Sequence, residues 1–441
     1  MAKSSDKPPK APPATRTARF LKLAGMTASV ASQYAGQRVR RALGREEDNE
    51  RRQAEAYDRM ATQIADTLGE LKGAVMKVGQ IASQTQDFLP KEFALALQKL
   101  QKDAPPMAFS VIREQLENEL GAPITELFAS VDESAYAAAS IGQVHRARTL
   151  DGREVIIKVQ YPGVDRSLDS DLKQLKMTLK LGGLLKIPKE SVDQLFNELR
   201  ERLSEELDYT NEARNIDRFR HFHEAHPWLT IPAVVPELSS RRVLTLILEE
   251  GDHISEVVPE RYSQQTIDLI GQHLFQTMAD QLFVFKAIHG DPHAGNFAFR
   301  PDGTVILYDF GCVKQLKPEI VEAYRRTLKA AIGENYKALD QCLIDLGARV
   351  EGKPAVDEAY YAMWRDIFIQ PFASPLEKYN FGEADIHKQV AAKASTVLQY
   401  WESFKPPVES IFIDRMIAGH YWMLKRLGVQ AAFRQALEAY L

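Results

Sequence analysis

The order of two short motifs constrains this chain more than any other feature. The first is His289-Gly290-Asp291-Pro292-His293-Ala294-Gly295-Asn296-Phe297, and the second is Tyr308-Asp309-Phe310-Gly311. Asp291 and Asn296 lie five residues apart. Between the motifs, the Pro301-Asp302-Gly303 turn leads into an apolar run, Val305-Ile306-Leu307-Tyr308, that reads as a strand. This order suits phosphoryl transfer. Such chemistry needs an acid to orient or accept the proton of the attacking group, and oxygen ligands to hold Mg2+ on the phosphates. Asp291 is the candidate base or orienter, and Asn296 and Asp309 are the candidate metal ligands. A single Asp-Gly or Asp-Phe-Gly is an ordinary turn, so the ordered pair carries the reading.

The spacing Asp-x4-Asn followed by Asp-Phe-Gly resembles the protein-kinase signature, which predicts an upstream phosphate-covering loop and a strand lysine. Ala137-Ala138-Ala139-Ser140-Ile141-Gly142 stands where the glycine-rich loop belongs. After the Asp151-Gly152 turn, Glu154-Val155-Ile156-Ile157-Lys158-Val159 resembles the lysine strand, with Lys158 reaching the phosphates. Alone, Lys158 would read as an exposed strand-end lysine; its position favours the functional reading. The alanines depart from the kinase pattern. Glycines allow close backbone approach to phosphate, and each Cβ narrows the allowed dihedrals. They either tune nucleotide position or affinity away from ordinary protein phosphorylation, or pack against a neighbouring helix.

Three further segments join these: the alanine loop itself, Lys77-Val78-Gly79-Gln80 far upstream, and Glu206-Leu207-Asp208 between. Together they resemble the K-x-G-Q and E-x-D signatures of the UbiB/ADCK family of atypical kinases, from about Arg19 to the C-terminus. The resemblance implies an α+β, protein-kinase-like bilobal fold with a helical N-terminal extension. It implies ATP and Mg2+ as cofactors, ATPase-type activity and a role in coenzyme Q (ubiquinone) biosynthesis. It also implies that Lys158 pairs with a helix glutamate, for which Glu212 is our choice. Glu206 and Asp208 would instead meet Lys77 and Gln80, on a helix folded over the site where a protein substrate would otherwise lie. The residues alone say only that this region is helical, with Leu68, Leu71, Val75, Val78 and Ile81 at three-to-four spacing. Gly79 inside such a helix costs about 1 kcal/mol relative to Ala, which points to a close approach.

The 441 residues are 45% hydrophobic and 26% charged, an ordinary globular balance that allows two or three structural units. A net charge of -4 gives no sign of a nucleic-acid partner. Two cysteines, Cys312 and Cys342, suit a reducing compartment rather than a disulfide framework. The first 17 residues, rich in Pro, Ala, Lys and Ser, read as a disordered basic tail. From Lys3 to Arg45 the only acid is Asp6. This stretch lacks the roughly 20 apolar residues of a membrane span. It has three readings: a segment lying on anionic membrane lipid, a mitochondrial transit peptide, or a solvated tail before a packed helix. The expected location is accordingly cytoplasmic and peripheral on the inner membrane, or the mitochondrial matrix in a eukaryotic source.

The organisation expected is a helical extension over 18–105, a kinase-like N-lobe over 106–250 and a helical C-lobe over 251–441. The N-lobe should hold helices around Asp171–Lys180 and Ser191–Arg220, and a strand from Arg242 to Glu249. Glu250-Gly251 is the expected hinge, whose backbone groups would meet adenine, and Glu249 just before it is a candidate nucleotide-binding residue. Met416 to Leu427 reads as an amphipathic helix used for core packing. His289 is expected as a structural loop residue, and Pro292 argues against a zinc pair with His293. No metal cluster of Cys or His is read from the sequence. Three functions fit: a UbiB-like ATPase acting with quinone-pathway precursors or enzymes, a small-molecule phosphotransferase of the aminoglycoside or choline kinase type, and a non-catalytic nucleotide-gated scaffold. The second lacks support from the K-x-G-Q and E-x-D pair. A homodimer through the helical parts is open, with no residue-level case for it.

Overall fold

The computed structural model describes residues 106–138, 141–181, 189–405 and 410–441, together with Ala24–Met26, Ala28, Ser29 and Ser32. The chain divides into two compact units: residues 1–213 with 234–248, and residues 214–233 with 249–441.

The first unit is built on an antiparallel sheet. Its strands run in the order Phe128–Val131, Gly142–Thr149, Glu154–Gln160, Val243–Ile247, with Ala137–Ala138 added to the Gly142 strand. The Asp151-Gly152 dipeptide makes the tight connection between the central strands, and Gly152 takes the left-handed φ of +90° that this turn requires. Strand periodicity then sorts the side chains. Val155, Ile157 and Val159 are fully buried on one face, so Lys158 must lie on the other. Lys158 pairs in register with Val144 and Leu244. Gly142 has no room for a side chain, since a Cβ would sit 2.4 Å from the carbonyl oxygen of Val159.

Two helices, Val164–Leu181 and Lys189–Glu206, add Leu168, Leu172 and Leu175, and Val192, Phe196, Leu199 and Leu203, to the same core. Their three-to-four spacing is that of amphipathic helices. The expected helix over 191–220 is broken in two: after Glu206 the chain leaves the helix, and Asp208 caps the next one, Tyr209–Phe222, by accepting the backbone N–H of Thr210 at 3.0 Å. The predicted 242–249 strand is shorter, Val243–Ile247.

In the second unit, Val305–Leu307 pairs parallel to Leu229–Thr230 and antiparallel to Phe297–Phe299. Ala287–His289 pairs antiparallel with Val313–Gln315. The remainder is mostly helical, led by Gln264–Ala279, which passes into a π-helical turn at Asp280–Val284. The predicted C-terminal helix runs over Ile411–Leu427 and stops at Gly428 in the left-handed conformation. Residues 214–233, expected in the N-lobe, belong to this unit. Leu229–Thr230 extends its sheet, and the Phe219 ring lies 5.1 Å from that of Phe310. Among the described residues, no helix is long and apolar enough to cross a membrane.

His420, on the C-terminal helix, is buried and packs edge-on to Phe297. Burial pushes its pKa down from 6.5 to about 4, so the ring is neutral in the folded protein. The unfolded chain binds the proton first as pH falls. Stability therefore drops between about pH 6.5 and pH 4, by up to about 3 kcal/mol from this residue. Urea midpoints measured at pH 7 and pH 5 should show that drop, and His420→Leu should reduce it without abolishing it, because buried His223 is shifted down to about 4 as well.

Candidate active site

In the first unit the central feature is an ion pair. Lys158 Nζ donates to Glu212 Oε1 at 2.6 Å, with only 17% of the lysine side chain and 4% of the glutamate side chain exposed. The strand alternation turns Lys158 to this face, and the Asp208 cap starts the helix whose first turn carries Glu212. The Tyr209 ring lies 5.5 Å from Nζ and adds cation–π attraction. Ala137 and Ala138 form a short strand against Val144 and Gln143, so this part of the expected loop is regular extended backbone. Ala139 and Ser140 lie outside the described residues, as do Lys77 and Gln80. Glu206 ends one helix and Asp208 caps the next; neither can be related to Lys77 or Gln80 here.

In the second unit the two sequence motifs are tied together. Asn296 donates through Nδ2 to both the backbone oxygen and Oδ2 of Asp291, at 3.0 and 3.1 Å, which turns its amide oxygen away from Asp291. His289 is a buried strand residue rather than the expected loop residue. Its Nε2 lies 2.5 Å from the backbone oxygen of Asp309. That bond ties the ring to the second motif. Gly290 is required because its N–H reaches the oxygen of Cys312 at 2.7 Å, and a Cβ would meet Cys312 Sγ at 2.6 Å. Asn215 donates to the oxygen of Phe310 at 3.0 Å, and Phe310 is packed between Phe219 and His289.

Held on both sides, Asp309 adopts a left-handed φ of +56°, a conformation that costs a non-glycine residue about 1–3 kcal/mol and collects at functional sites. Its Oδ1 accepts the N–H of Gly311 at 3.1 Å, and the residue is exposed. The carboxylate of Asp309 and the amide oxygen of Asn296 are hard donors of the type Mg2+ takes. The Glu249 carboxylate is paired with Arg300 at 2.7 Å, and its backbone oxygen accepts from Tyr308 Oη at 2.7 Å.

The sequence reading missed Asn215, Tyr308 and Arg415. The C-terminal helix brings Arg415 to 3.7 Å from Asp291. Gly419, one turn on, lies so close to Pro292 that a Cβ would be 2.6 Å from its carbonyl oxygen. A glycine inside an otherwise apolar helix was the available signal, since it marks a close approach.

An antiparallel sheet with a buried Lys–Glu pair, together with a second, mostly helical unit that carries an Asp-x4-Asn loop and an Asp-Phe-Gly turn, defines a protein-kinase-like α+β protein. Residues 99–343 match the ABC1 atypical kinase-like domain, and the chain belongs to that family, the ABC1/UbiB atypical kinases. It is 29% identical to the probable serine/threonine-protein kinase abkA of Dictyostelium discoideum, over 94% of this chain and 77% of that one. It is 29% identical to the mitochondrial atypical kinase COQ8 of Saccharomyces cerevisiae, over 83% of this chain and 73% of that one. The mitochondrial atypical kinase COQ8B of Rattus norvegicus is 30% identical, with coverage of 86% and 71%. Among solved structures, that of Rv3197 of Mycobacterium tuberculosis in complex with erythromycin matches with a TM-score of 0.60 and 30% identity, over 88% of this chain and 97% of that one.

Two substitutions test the geometry. Glu212→Leu leaves Lys158 without its partner and should cost about 3 kcal/mol in chemical denaturation, while the Lys158→Met/Glu212→Leu double variant recovers much of that loss. Gly419→Ala should lower stability by about 1–3 kcal/mol through overpacking on Pro292, read as a fall in Tm.

Proposed function

We propose that this atypical kinase binds ATP with Mg2+, acts chiefly as an ATPase, and supports ubiquinone biosynthesis at a membrane surface. The observation that carries the nucleotide reading is the buried Lys158–Glu212 pair, which fixes an ammonium group on the strand position where kinases hold the phosphates. In this reading Lys158 neutralises phosphate charge, Glu212 positions Lys158, and Ala137, Ala138, Ala139, Ser140 and Gly142 cover the phosphates. Asp291 orients the attacking water or hydroxyl, with Asn296 holding the Asp291 carboxylate in place. Asn296 and Asp309 would ligate Mg2+, which supplies charge compensation on the phosphates. Lys77, Gln80, Glu206 and Asp208 close the site to a protein acceptor, so hydrolysis is favoured over protein phosphorylation. The quinone role is supported by the COQ8 relatives, and membrane attachment by the basic, acid-poor N-terminal stretch.

The test is Mg2+-dependent ATP hydrolysis by the purified chain, with and without anionic liposomes. We expect turnover that rises on liposomes and falls about 100-fold or more in Asp309→Asn and in Lys158→Met. A folded protein that binds no ATP would overturn the proposal. ATP binding with no turnover would favour a nucleotide-gated scaffold, and a phosphorylated small product would favour a small-molecule phosphotransferase.

A further inference from the structure

We propose that His223, His226 and Asp280 form a buried binding site for a zinc-like transition-metal dication, separate from the nucleotide site. The three residues come from two elements of the second unit. His223 and His226 follow the end of the Tyr209–Phe222 helix in a His-x-x-His spacing, and Asp280 opens the π-helical turn Asp280–Val284. One ligand atom from each lies within 4.8 Å of the others. His223 and Asp280 are almost fully buried, at 3% and 7% exposed.

Several observations favour an ion over an ordinary polar cluster. The two Nδ1 atoms of His223 and His226 stand 3.3 Å apart, and Asp280 Oδ2 stands 3.5 Å from Nε2 of His226. Two ligands at about 2.0–2.1 Å from a tetrahedral centre are separated by roughly 3.3 Å. His226 presents Nδ1 to His223 and Nε2 to Asp280, two directions that diverge, so an ion takes a single His226 nitrogen. Asp280 Oδ2 is buried with no hydrogen-bond partner among the described residues, an arrangement native interiors avoid.

The surroundings are those of a supported metal site. Tyr440 Oη donates to Asp280 Oδ1 at 2.7 Å. The Phe285 and Trp228 rings, each 5.0 Å from a histidine ring, give it an apolar wall. Two imidazoles and one carboxylate select zinc over Mg2+, whose oxygen donors are Asn296 and Asp309. This inference does not depend on the nucleotide reading.

The test uses the full chain without a histidine tag, stripped with a chelator and titrated with Zn2+ against a chromophoric competitor. One tight equivalent per chain is expected, weakened at least about 100-fold by Asp280→Asn and by His226→Gln, with circular dichroism unchanged. A wild type that binds no Zn2+, or an equivalent untouched by either variant and hence adventitious, overturns the site. If the variants do not fold, Co2+ loaded into the wild type decides. Intense visible bands of tetrahedral cobalt uphold the proposal, and their absence overturns it.

Discussion

The arrangement of the second unit depends on one short strand pairing. Ala287–His289 and Val313–Gln315 run antiparallel, with His289 opposite Val313. Each motif sits at an end of that pairing, so the register fixes where Asp291 and Asp309 stand. The His289–Asp309 hydrogen bond and the Gly290–Cys312 contact then remove the remaining slack. A slip by one residue would turn His289 to the other face and break both contacts. The left-handed backbone of Asp309 is maintained because its neighbours on both sides are over-determined: Phe310 by Asn215 and two rings, Tyr308 by its hydroxyl contact with Glu249. A site acid held this way needs little reorganisation when a charged ligand arrives.

The Lys158–Glu212 pair has a different logic. Two buried charges lose hydration, and their mutual attraction roughly offsets that loss, so the pair adds little net stability. What it does is fix position. An unpaired lysine on that strand would extend toward water along its flexible stem; a partner at 2.6 Å leaves the ammonium group one location. The strand supplies the direction and the helix cap supplies the partner, so a charge placed this way reflects two local rules that agree.

The sequence made the site easier to read than the packing around it. Asp291, Asn296, Asp309 and Lys158 lie in short, order-dependent patterns, Glu212 followed only from the family resemblance, and the strand alternation around Lys158 is visible as Val155, Ile157 and Val159. The break at Leu207-Asp208 was not read, although an Asp before a helix is a capping signal. Residues 214–233 group with the second unit, where Leu229–Thr230 pairs parallel with Val305–Leu307, a partner that lies far along the chain and has no local signature. Arg415 and Asn215 were invisible for the same reason: nothing near them in sequence says what they touch. His289 was taken for a loop residue because its strand is only three residues long.

A single helix shows how several such constraints share one element. Along Tyr209–Phe222, positions 212, 215 and 219 follow three-to-four spacing, and His223 continues it just past the end. Glu212 holds Lys158, Asn215 holds the Phe310 oxygen, Phe219 packs on the Phe310 ring, and His223 begins the buried histidine cluster. A rotation of this helix by one residue, about 100°, would break all four contacts at once. The helix therefore needs fixing at both ends. Asp208 does this at the start by accepting the N–H of Thr210. At the finish, the stacking of Phe222 on Phe285 at 4.4 Å and the packing of His223 against the edge of Phe285 do the same. A cation shared by His223, His226 and Asp280 would tie that end of the helix to the turn at Asp280 within the same unit.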